Sequence, residues 1–155
     1  MDAHRTITCE IPLRWSDMDA YGHINNVQVV RLLEEARIQA FGPPGGTGAA
    51  GQDPPVPLFS SIAAGVQALV VEHRIRYTAT LDYRNVPLKI EIWISDLRAA
   101  SLGIAYRIND PATHRACVLA QTTLAFVDGE SESLLRITAG QKQQLAPYVG
   151  PAHFT

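Results

Sequence analysis

The chain has 155 residues, 46% of them hydrophobic and 18% charged, which suffices for a single domain over residues 1–155 and leaves no room for two. A formal net charge of -2 excludes the electrostatic footprint of a nucleic-acid or anionic-membrane binder and points to small, near-neutral ligands. Cys9 and Cys117 have neither metal-ligand nor CxxC spacing, and no apolar run reaches the roughly 18 residues that cross a bilayer, so a soluble protein of the reducing cytoplasm is expected.

From the N-terminus, Thr6 to Trp15 alternates, with Ile7, Cys9, Ile11 and Leu13 on one face, as in a half-buried strand that Pro12 limits to an edge or ends early. Ser16 to Asn26 collects turn formers and polar groups and reads as a loop. Val27 to Phe41 holds no Gly or Pro and repeats Val29, Leu33, Ala36 and Ala40 at helical spacing. Its polar face is narrow, around Gln28, Arg31, Glu35 and Gln39, which predicts an enclosed core helix capped by Asn25 or Asn26. Phe41 to Pro57 carries five of the eleven glycines and five of the ten prolines and reads as a long loop, either a functional lid or disordered. Four strand-like runs follow, Gly65–Ala79, Val86–Leu97, Ala100–Asn109 and Arg115–Asp128, joined by turn signals such as Asp82 to Asn85. Thr138 with Gln141 three residues later predicts a capping box on a short helix that ends before Pro147.

One strand, one helix and four consecutive strands give an α+β fold, a five-stranded antiparallel sheet curled around the helix. A single helix covers one face of such a sheet, so its other face and its edges need water or a second subunit.

Asp17, Asp19, His23, Asn25 and Asn26 fall within ten residues, directly before a helix whose first N–H groups lack acceptors within the helix. A carboxylate beside such donors can act as base or nucleophile on a carbonyl while the donors stabilise the developing oxyanion. Asp and Asn at this position are also ordinary caps, and Gly22 an ordinary turn residue.

The segment Arg14-Trp15-Ser16-Asp17-Met18-Asp19-Ala20-Tyr21-Gly22-His23-Ile24-Asn25-Asn26-Val27, followed by Leu33-Glu34-Glu35-Ala36-Arg37, closely resembles the signature of hot-dog-fold acyl-CoA thioesterases of the 4-hydroxybenzoyl-CoA thioesterase-like branch. The resemblance is most specific from Arg14 to Arg37 and implies a sheet wrapped around a long central helix, with active sites between paired protomers. It implies that Asp19 is the catalytic carboxylate, that Asp17 is structural, and that a backbone N–H near Asn26 polarises the thioester carbonyl. Tyr21, Gly22 and Asn25 would line the substrate site, Gly22 by allowing close chain approach. His23 would either transfer protons or tie the loop. In related plant acyl-carrier-protein thioesterases the loop reads D-x-N-x-H; this chain has Tyr21 in place of that Asn. The resemblance implies an acyl-CoA substrate, no separate cofactor because coenzyme A is part of that substrate, and a homodimer or a dimer of dimers.

His73 and Tyr77 share a strand face with Val71 and Ile75, for which packing is the expectation. Arg74, Arg76, Arg84, Lys89 and Arg98 are available for the coenzyme A phosphates without any being singled out. The five histidines are scattered without metal-ligand spacing, so no metal site is expected, and the GxSxG of a serine hydrolase is absent. Two rivals share the fold: a dehydratase or hydratase acting on acyl thioesters, which needs a His-containing pocket motif, and a non-catalytic acyl-binding subunit.

Overall fold

The computed structural model describes residues 4–45, 47–48, 51 and 53–155. Strand β1 (Ile7–Ile11) is followed by a 3-10 turn (Trp15–Asp17), helix α1 (Asn26–Phe41), and strands β2 (Val66–Tyr77), β3 (Leu88–Leu97), β4 (Ser101–Asn109) and β5 (Ala116–Asp128). A two-residue strand β6 (Leu134–Leu135) and helix α2 (Ala139–Leu145) complete the chain. The strands form one antiparallel sheet in the order β1-β3-β4-β5-β2. It has six strands rather than five. β4 ends its pairing at Ser101 opposite Ala125, and β6 takes up Phe126 and Val127 beyond it, so backbone groups that β4 leaves free find partners.

The predicted alternation becomes the core. Leu88, Ile90, Ile92 and Ile94 of β3 and Ile104, Tyr106 and Ile108 of β4 are wholly buried, packed in one cluster with Leu32, Leu33, Ala36 and Ala40 of α1. β1 stops at Ile11 because Pro12, which has no N–H, follows. The capping box of α2 forms as expected, Gln141 N–H donating to Thr138 Oγ1 at 3.1 Å and Thr138 N–H to Gln141 Oε1 at 2.8 Å.

Helix α1 is less enclosed than its composition predicts. Arg31 and Glu35 form the expected polar face, but Val27, Val30 and Glu34 also face outward, while Arg37 is buried and donates to Tyr106 Oη at 3.2 Å. The outward apolar face continues onto β2, where Leu69, Val70, Val71 and Tyr77 are exposed. The opposite face of the sheet is partly covered by the chain itself. Trp93 donates to Pro151 O at 2.8 Å, and the Phe154 ring lies against the Arg74 and Arg76 guanidinium groups.

The glycine- and proline-rich segment leaves α1 at Gly42, whose φ of +86° and lack of room for a Cβ, 2.8 Å from Ser60 Cβ, both demand glycine. It returns through buried Val56, Leu58 and Phe59, the last packed edge-on to Phe41. Its described residues therefore sit at the far end of α1 from the polar loop, about 24 Å away within one protomer; Gly46, Ala49, Ala50 and Gln52 lie outside the described residues.

Candidate active site

The two aspartates of the loop have opposite environments. Asp17 is fully buried: its Oδ2 accepts the Arg14 N–H at 2.7 Å, its Oδ1 accepts Arg31 Nη2 at 2.7 Å and Arg14 Nη2 at 3.1 Å. Burial alone pushes its pKa up, but the Arg14 N–H and the two guanidinium groups outweigh this and hold it below the ordinary carboxylate range. Its carbonyl accepts the Asn25 N–H at 2.8 Å, so Asp17 ties the 3-10 turn to the start of α1.

Asp19 is only partly buried. Its Oδ1 is fixed by the N–H groups of Tyr21 and His23 at 2.7 and 3.1 Å, while no group among the described residues donates to its Oδ2. A bridge between Met18 and Ile24 closes the loop, and Asp19 N–H donates to His23 O at 2.7 Å. Gly22 takes a φ of +79° with no protein atom within 4 Å of where a Cβ would sit; the left-handed backbone, not a close approach of the chain, is what calls for glycine there.

At the helix start, Asn25 is the cap. Its Oδ1 accepts Val27 N–H at 3.0 Å, and its carbonyl accepts the N–H groups of Gln28 and Val29. Asn25 N–H is taken by Asp17. Among the described residues, Asn26 N–H is then the one donor of this turn with no acceptor.

Asp19, His23, Asn25 and Asn26 come together on an open cleft of about 540 Å³, with Tyr77 and Leu81 also in its wall. Gly22 and Tyr21 are not part of that wall; Tyr21 lies at the tip of the turn, 83% exposed. Two residues with other expected roles reach this cleft, Tyr77 in its wall and Asp82 through its contact with His23. Tyr77, read as packing, is half exposed, and its hydroxyl donates to Asn26 O at 3.4 Å. Asp82, read as a turn residue, pairs with His23 across an isolated antiparallel bridge and places Oδ1 3.6 Å from His23 Nε2. The alternation of β2 was the available signal for Tyr77, since its inner face runs straight to the loop. Nothing in the spacing marked Asp82.

Cys9 and Cys117 are free and buried, and burial pushes the Cys9 thiol up to about 11, so neither is an activated nucleophile. Among the described residues no three His, Cys, Asp or Glu side chains are grouped to hold a metal ion, and no helix is long and apolar enough to cross a membrane.

A family model described as the thioesterase-like superfamily matches residues 13–147. No curated protein is similar to the chain in sequence. Among solved structures, the PA5185 protein of Pseudomonas aeruginosa superposes with a TM-score of 0.72 at 22% identity, covering 95% of this chain and 94% of its own. A thioesterase-superfamily protein from Jannaschia gives 0.73 at 15% identity, covering 97% and 99%. A 1,4-dihydroxy-2-naphthoyl-CoA thioesterase from Synechocystis gives 0.69 at 14% identity, covering 92% and 96%. At these identities the likeness is one of fold.

Proposed function

The chain belongs to the thioesterase-like superfamily, and from that premise we propose that it hydrolyses an acyl-CoA thioester to the free acid and coenzyme A, with Asp19 as the working carboxylate. The observation that carries this reading is the pairing of two groups on one cleft that have no partner among the described residues: a carboxylate oxygen, Asp19 Oδ2, and a helix-start donor, Asn26 N–H. The Asn26 N–H, backed by the helix dipole, binds the carbonyl oxygen as it becomes an oxyanion. Asp19 acts on the carbonyl carbon, either by attacking it directly or by taking a proton from the water that does. The C–S bond then breaks, and the departing thiolate takes up the proton released by the attacking water, for which His23 is the nearby carrier; where Asp19 attacks directly, water then hydrolyses the acyl–Asp19 anhydride, which frees the acid, restores the carboxylate and supplies that proton. No cofactor enters this scheme, because coenzyme A arrives as part of the substrate. Asn25 serves by fixing the helix start, while Tyr21 and Gly22 shape the turn that presents Asp19.

A dehydratase would share the fold, but it needs an acid–base pair aimed at the acyl chain rather than a carboxylate beside an oxyanion donor. We further propose a homodimer, since β2 offers a 12-residue strand whose second edge is unpaired among the described residues, beside the outward apolar face of α1. The test is thiol release from a panel of aliphatic and aromatic acyl-CoA thioesters by the wild type and by Asp19→Asn. The amide oxygen of Asn can still accept the Tyr21 and His23 N–H groups, so the variant should fold, and its turnover should fall by about two to four orders of magnitude. A folded, fully active Asp19→Asn enzyme would overturn the assignment.

A further inference from the structure

The segment from Leu81 to Arg84 runs antiparallel to the loop from Gly22 to Ile24. It is fastened by Ile24 N–H to Leu81 O at 2.8 Å and Tyr83 N–H to Gly22 O at 3.0 Å. Between these two backbone bonds stand His23 and Asp82, side by side across the bridge. Behind them runs a chain of charged groups. Asp110, 4% exposed, accepts the N–H groups of Ala112 and Thr113 at 2.8 and 3.1 Å, and both its oxygens accept Arg84 Nε at 3.0 and 3.1 Å. Arg84 is thus anchored and neutralised by a buried carboxylate before Asp82 is considered. Its remaining arm, Nη2, donates to Asp82 Oδ2 at 3.3 Å. That fixes one oxygen of Asp82, and the other, Oδ1, has His23 Nε2 as its neighbour at 3.6 Å.

If Asp82 were present only to balance Arg84, it would duplicate what Asp110 already does. The order of anchoring runs the other way: the buried Asp110 sets Arg84, Arg84 sets Asp82, and Asp82 faces the one histidine on the cleft. We infer that Asp82 is a positioning residue for His23, its carboxylate holding the ring with the proton on Nε2 and leaving Nδ1 as the free ring nitrogen at the cleft. A distance of 3.6 Å is an ion-pair contact rather than a closed hydrogen bond, and such contacts commonly tighten once substrate excludes water. A neutral imidazole exchanges its proton between two nitrogens; a carboxylate beside one of them selects the tautomer. This inference rests on the thioesterase reading for the use made of the ring, and not for the pairing itself.

The pairing is read directly from the side-chain ¹⁵N shifts of His23 in the full chain, assigned by their loss in His23→Gln. The wild type should show the Nε2-protonated tautomer, and Asp82→Asn should show a mixture, with an unchanged melting temperature. In thiol release, Asp82→Asn should lower kcat by about ten- to a hundredfold, as loss of a partner that orients a functional histidine does, with KM little changed. Asp82→Glu should recover part of the loss, and Asp82→Asn combined with His23→Gln should be no slower than His23→Gln alone, because Asp82 acts through the ring. An unchanged tautomer in Asp82→Asn overturns the inference, and so does a double variant whose loss is the product of the two single losses. A wild type that releases thiol from no acyl-CoA overturns the thioesterase reading and the catalytic use of His23, while the ring tautomer still decides whether Asp82 sets it.

Discussion

At the scale of single residues, the D-x-D pair separates into one aspartate that holds the loop and one that keeps an oxygen without a donor among the described residues. Asp17 spends all its acceptor capacity on Arg14 and Arg31, and Asp19 keeps an oxygen unused on the cleft. Substituting Asn should therefore move different observables at the two sites. Asp17→Asn should lower stability by about 2–3 kcal/mol, since it removes charge-assisted bonds from a buried site, and urea titration of the purified variant measures this. Asp19→Asn should leave that midpoint nearly unchanged. A carboxylate held below its ordinary pKa in the folded chain contributes stability that is complete above the unfolded value and is lost as pH falls through the folded one. Asp17, and Asp110 for the same reason of N–H and Arg84 donors outweighing burial, should thus make unfolding easier below about pH 4. The motif made both aspartates legible in the sequence and its resemblance implied a structural Asp17, but the physical basis of that role, Arg31 reaching back from the helix to Asp17, exists only in the fold. Asp82 was hidden for a related reason: Asp in a turn is explained by the turn, and its contact with His23 exists only once two distant segments lie side by side.

At the scale of elements, a residue that joins two strands gives a second titration of the same sign in a higher pH window. His73 on β2 shares a hydrogen bond with Thr122 Oγ1 of β5 at 2.8 Å, and burial first, then the charge of Arg37, hold its pKa below the ordinary 6.5. Burial does the same to His153 in the segment over the outer sheet face. Below 6.5 the unfolded chain binds these protons more readily than the folded one, so stability should decline as pH drops from about 6.5 toward 5. His73→Gln, which keeps a hydrogen-bonding group for Thr122 and cannot titrate, should flatten part of that decline in urea midpoints measured between pH 5 and 7.5. An equally steep decline in the variant would show that the joint does not carry it. Periodicity was enough to find β2 through β5 and α1 to within about two residues, because buried faces impose a period. It gave no warning of β6, since two residues have no period, or of residues 150–155 crossing the outer face, where Trp93, Gln121 and Arg74 hold them one contact at a time.

At the scale of the whole molecule, six of the exposed large apolar residues fall on two elements, α1 and β2, while Trp15, Tyr21, Val86, Leu134 and Val149 are exposed singly elsewhere. Val27 and Val30 on α1 and Leu69, Val70, Val71 and Tyr77 on β2 lie on the side of the protomer where the sheet ends in an unpaired edge. The cleft opens at one end of this side, since Asn26 and Tyr77 belong to both. The alternation of β2 reads the same whether its inner face meets the chain's own helix or a second chain, so the sequence could announce the strand without announcing the gap. A second copy pairing along β2 would satisfy the free edge, cover the valines and enclose the cleft in a single step, and would thereby tie assembly to activity. The mass measured by sedimentation equilibrium at micromolar concentration should be a multiple of the 16.9 kDa protomer, the dimer being the smallest unit. Val30→Lys places a charge in the apolar face without touching Asp19, His23 or the Asn26 N–H. It should shift the mass toward the monomer and lower thiol release in proportion to the dimer lost, with activity recovering as protein concentration is raised. A wild type that sediments as a monomer, or a monomeric Val30→Lys protein with full turnover, would show that the cleft works without a second copy.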